Sequence, residues 1–139
     1  IAGSLGAGWL AQYHRMKILL FFVYGARAVA VACFLLAPKT ALTFYIFGAV
    51  LGVTWLATVP PTAGLVGKLF GARYLATLFG LTLLSHQIGG FFGAYLGGVA
   101  VDSSGNYQWM WYADMALVSL AALVNLPIRE AHPRLATAA

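Results

Sequence analysis

Arg27 and His86 are the two residues of this sequence whose type and depth suit work on a small polar molecule. Arg27 lies within the apolar run Ile18–Leu36, between the basic residues Arg15 and Lys17 on one side and Lys39 on the other. A helix rises roughly 15 Å from Lys17 to Arg27, at about 1.5 Å per residue. The hydrocarbon core of a bilayer is about 30 Å thick, which sets Arg27 near its middle. A charge at that depth is costly and normally faces a protein interior or a water-filled path. The planar guanidinium fork suits a carboxylate, because it donates two parallel hydrogen bonds. Tyr24, one turn earlier, adds a hydroxyl on the same face. The alternative is a buried structural pair with an acid. The candidates Asp102, Asp114 and Glu130 all lie away from the midplane.

His86 falls at a similar depth. The rise is roughly 20 Å from Arg73 and roughly 24 Å on to Asp102 if the stretch is helical. Imidazole titrates near neutrality, so His86 is a candidate proton carrier. Its plainer reading is a neutral hydrogen-bonding residue between helices, partnered by Ser85 or Gln87. Gln87 and Trp55 complete the candidate substrate-binding set of Arg27, His86, Tyr24, Gln87 and Trp55. Tyr45, Thr54 and Thr58 share the span of Trp55 and are candidate cavity residues or packing residues.

No catalytic constellation is visible: there is no metal-ligand spacing, no phosphate-binding loop and no assembled nucleophile set. Gly6-Ala7-Gly8 follows no strand and lacks the third glycine of a dinucleotide fingerprint. No enzyme activity, cofactor or metal is therefore expected. Cys33, the single cysteine, cannot form an internal disulfide and reads as a small core residue.

The elements that must position these residues are membrane helices. The chain is 62% hydrophobic and 8% charged, against about 25% charged residues in soluble domains. The net charge of +5 would suit nucleic acid, but the basic residues sit at the ends of apolar runs, as topology signals do. The expected fold is all-α, a polytopic bundle with spans at about 18–36, 41–59, 77–101 and 109–126. Residues 1–10 read as the end of a span that begins upstream. Pro60-Pro61 stops or kinks the second span, Thr62–Ala76 reads as a loop with at most a short interfacial helix, and a polar tail covers 127–139. Arg15, Lys17, Lys68, Arg73, Arg129 and Arg134 fall on one side and Lys39 on the other. The positive-inside rule makes the basic side, and the C-terminus, cytoplasmic. Trp109, Trp111 and Tyr112 suit an aromatic belt at the opposite interface.

Gly89, Gly93 and Gly97 recur every four residues and share a face with His86. Such a stripe lets helix backbones approach in lipid, as a sliding seam or as static packing.

The segment Gly8-Trp9-Leu10-Ala11-Gln12-Tyr13-His14-Arg15-Met16-Lys17 resembles a degenerate loop signature of the major facilitator superfamily. Gly8, Leu10, Arg15 and Lys17 carry the likeness, while Gln12 stands where the family has an acid. Val59-Pro60-Pro61, Gly71 through Gly80, Ser85-His86-Gln87 and the glycines resemble the tenth and eleventh helices of bacterial members near the monocarboxylate-porter branch. The resemblance implies a twelve-helix transporter of which this chain is the end of helix eight through helix twelve. It implies secondary active transport of a small solute by alternating access; Arg27 makes an organic anion such as a monocarboxylate the expected solute, and His86 makes coupling to protons the expected drive. The implied partners are that solute, the proton, the lipid bilayer and the N-terminal half of the same protein, with no nucleic acid. The implied location is the inner cell membrane. The carboxylate ligands of known monocarboxylate porters lie on helices eight and eleven, so the role of Arg27 rests on its depth. Two other readings stand beside this one: a membrane-embedded enzyme using His86 as its base, and a structural membrane subunit.

Overall fold

The computed structural model describes residues 1–130. Six helices follow one another: α1 (Ala2–Tyr13), α2 (Met16–Leu36), α3 (Ala41–Ala57), α4 (Val59–Phe70), α5 (Ala72–Ser104) and α6 (Gln108–Asn125). There is no strand among the described residues. Three stretches are long and apolar enough to cross a membrane: Met16–Leu36, the broken path Ala41–Phe70 and Ala72–Ser104. A helix, α6, lies where the fourth span is expected; with Gln108, Asp114 and Asn125 it is more polar than those three stretches and is not one of them.

Local chemistry explains the ends. Lys39 folds back on α2 and its ammonium donates to the carbonyls of Phe34, Leu35 and Ala37. A cation there satisfies carbonyls that lack helical partners and complements the negative end of the helix dipole. Thr40 starts α3 by accepting a hydrogen bond from the Thr43 amide at 3.3 Å. Gly71, with φ of 80°, separates α4 from α5; a side chain resists that conformation.

The packing centres on α2, which lies mainly along α6 and also touches α3 and α4. Val31 is fully buried there. Phe34 stacks on Phe47 with ring centres 4.2 Å apart and meets Trp111 at 5.4 Å. Trp111 therefore belongs to an aromatic cluster inside the bundle, while Trp109 and Tyr112 stay exposed as an interfacial belt requires. α1 crosses α3 closely: a Cβ on Gly3 would stand 1.8 Å from the Val53 carbonyl oxygen, so only glycine fits.

Three expectations need correction. Thr62–Ala76 is not a loop, because α4 and the start of α5 occupy it. Pro60 and Pro61 fall in the first turn of α4, where a missing amide donor costs nothing, so they start a helix after breaking one. Cys33 is exposed rather than buried, in an apolar groove between α2 and α3. The glycines Gly89 and Gly93 face no neighbour within 4 Å, and Gly97 meets only the Tyr107 ring at 3.9 Å. Among the described residues no helix packs into that stripe; α5 touches α4 and the start of α6, and most of its length is exposed.

Candidate functional site

Four helices converge on a cavity of about 450 Å³. Tyr24 lines it from α2 and Trp55 and Leu56 from α3. Thr58 and Thr62 line it at the α3–α4 junction, and Thr82, Ser85 and His86 from α5. Its size is within the usual range of small-ligand sites, roughly 300–1,000 Å³. Its side walls are hydroxyls and aromatic rings. The hydroxyls of Thr62, Thr82 and Ser85 each donate to a carbonyl of their own helix, Thr58, Leu78 and Thr82 respectively. Each oxygen thus keeps lone pairs free to accept from a ligand.

Arg27 does not line this cavity; it touches Trp55, which does. Its guanidinium lies over the Trp55 ring, 4.7 Å from the centre. A cation over an indole face is attracted by the ring quadrupole, and more strongly where water is excluded. Trp55 also meets His86 edge-to-face, with ring centres 6.4 Å apart. The sequence candidates Arg27, Trp55, Tyr24 and His86 are therefore one cluster. Gln87 is exposed on α5 and does not line the cavity. Thr62, Thr82 and Ser85 were not among the candidates; the four-residue step from Thr82 to His86 is the sequence signal that places a hydroxyl on the histidine face.

The Arg27 Nη2 atom is buried and has no hydrogen-bond partner among the described residues. A buried, unpartnered guanidinium nitrogen is expensive, because the desolvated donor gains nothing in return. No carboxylate among the described residues reaches it: the ion pair found joins Lys68 to Glu130 at 3.0 Å.

That pair belongs to a second polar cluster at the basic end of the bundle. The Glu130 side chain is 1% exposed, beside a Lys68 side chain that is 36% exposed. The Lys17 amide donates to Glu130 Oε2 at 3.1 Å, and Lys17 Nζ donates to the Leu126 carbonyl at 2.9 Å. Glu130 thereby ties the start of α2, the end of α4 and the segment after α6 into one knot. Burial pushes its carboxyl up. The amides of Lys17 and Met16 and the Lys68 ammonium outweigh that and hold it below its ordinary 4.5. Arg15 lies beside this knot with its Nε buried and unpartnered among the described residues.

Comparison with known proteins adds one finding. A family model described as Major Facilitator Superfamily matches residues 1–139. No curated protein and no solved structure matches the chain.

Proposed function

Because the chain belongs to the major facilitator superfamily and is a multi-pass membrane protein that transports a small solute, we propose that its solute is a small organic anion, bound in the Tyr24–Trp55–His86 cavity. The observation that carries this reading is the buried, unpartnered Nη2 of Arg27 over the Trp55 ring. A carboxylate, such as that of a monocarboxylate, supplies the acceptor this nitrogen lacks, and a shift of the Trp55 ring brings the two together. The threonine hydroxyls then take the polar remainder of the solute. His86, in edge-to-face contact with Trp55, carries a proton with the anion in this reading, which makes the transport a symport by alternating access. In this proposal the unpartnered face of α5 meets another part of the same transporter, so that the cavity closes between two halves of the protein. The basic ends at Arg15, Lys17, Lys68 and Arg73 are cytoplasmic, by the positive-inside rule.

The test is uptake of radiolabelled small carboxylates into proteoliposomes holding the whole transporter. Arg27→Leu inserts but loses anion uptake. Uptake of an anion at wild-type rate by Arg27→Leu refutes the assignment.

A further inference from the structure

A second cavity, of about 420 Å³, opens between α5 and α6 at the end of the bundle that carries the α5–α6 turn. Small residues of α5, Gly93, Gly97 and Gly98, form one wall. Tyr107, Trp111 and Asp114 form the other. The composition differs sharply from the Arg27 cavity. It has a carboxylate and two π faces, and no basic side chain lines it.

Asp114 stands six residues into α6, about 9 Å below its start. It is partly buried, and neither hydrogen bond nor ion pair reaches its carboxylate among the described residues. A partly buried carboxylate without a partner calls for a hydrogen-bond donor or a cation. Lys39, the basic residue at this end, is turned away: its ammonium lies 4.1 Å from the Phe34 ring centre and donates to the α2 carbonyls. Trp111 is held by Phe34 and Phe47, with ring centres at 5.4 and 5.7 Å, so its position is fixed before any ligand arrives.

We propose that this cavity binds a small organic cation of the alkylammonium class, separately from the solute site at Arg27. The Asp114 carboxylate takes the charge, the Tyr107 and Trp111 rings take the ammonium methyl or methylene groups, and the glycines leave room for them. The space is real: a Cβ on Gly93 or Gly98 meets nothing within 4 Å.

The probes are choline and its neutral carbon isostere 3,3-dimethyl-1-butanol, titrated calorimetrically into the whole transporter in lipid nanodiscs. Choline binds saturably and the isostere does not. Asp114→Asn, which keeps the shape and removes the charge, weakens choline binding ~10-fold or more. Gly98→Leu, which fills the cavity and leaves the charge, weakens it comparably and covers the case in which Asp114→Asn fails to fold. Arg27→Leu leaves choline binding at the wild-type value, which separates this site from the solute cavity. Absence of saturable choline binding, equal binding of the isostere, wild-type affinity in both Asp114→Asn and Gly98→Leu, or loss of choline binding in Arg27→Leu each overturns the proposal.

Discussion

Lys68 Nζ lies 3.0 Å from Glu130 Oε1, although 62 residues separate the two along the chain. The lysine lies in the last turn of α4 and the acid follows α6, so the contact ties the middle of the chain to the end of the described residues. Glu130 also accepts the Lys17 amide, and removing its side chain leaves that buried donor unmatched. Glu130→Ala is expected to destabilise the protein by about 1–3 kcal/mol. Lys68→Ala is expected to cost under ~1 kcal/mol, because its ammonium is partly exposed and screened. Thermal unfolding in detergent compares them; equal losses count against the amide as the main partner.

The same carboxyl makes stability pH-dependent. Its folded pKa is lowered, so the stabilisation is full above the ordinary value of 4.5 and fades as pH falls from there through the folded value. Wild-type protein is expected to lose more stability than Glu130→Gln over that acid range. Parallel melting-temperature profiles from pH 7 to pH 3 show the difference, and superimposable slopes exclude it.

At Arg27, charge and geometry separate. Arg27→Lys keeps a cation but loses the fork, and its KM for an anionic solute is expected to rise ~10-fold or more with near-normal expression. Arg27→Leu is expected to abolish uptake while inserting normally. Trp55→Leu removes the ring under the guanidinium and is expected to weaken binding less than Arg27→Leu, since cation–π contacts are worth about 0.5–2 kcal/mol. Initial-rate kinetics rank the three.

For His86, the informative measurement is the pH profile. His86→Gln is expected to flatten the dependence of uptake on an imposed pH gradient and to spare solute exchange. A profile identical to wild type assigns His86 to packing against Trp55.

Sidedness is tested with cysteines placed at Ser103 and Arg129 in a Cys33→Ala background. The impermeant reagent is expected to reach Ser103 from outside and Arg129 only after permeabilisation. The opposite pattern inverts the topology.

The sequence made the helices legible wherever long apolar runs ended in charge. Four things were hidden for different reasons. Pro60-Pro61 with Lys68 and Arg73 looked like a loop because proline both ends and begins helices, and only the neighbours of α4 decide between the two. The stacking of Arg27 on Trp55 is a contact between two helices, and no spacing along one helix encodes it. Glu130 looked like part of a solvated tail, since nothing local to it announces burial. Asp114 was visible as an acid in a span, but its aromatic neighbours arrive from the α5–α6 turn and from the packing of Trp111. The expected tail beyond residue 130, including Arg134, lies outside the described residues.

The break at Thr58 has a consequence for anyone probing this protein by mutation. Pro60 and Pro61 carry no amide hydrogen, so the carbonyl of Ala57 receives no helical donor from ahead, beside a cavity that Leu56 and Thr58 line. The helical hydrogen-bond ladder is thus interrupted between α3 and α4, at the residues that carry the Thr58 and Thr62 hydroxyls. The double change Pro60→Ala with Pro61→Ala restores the missing donors and would join α3 and α4 into one rod, which moves those hydroxyls relative to Trp55 without touching any side chain of the cavity.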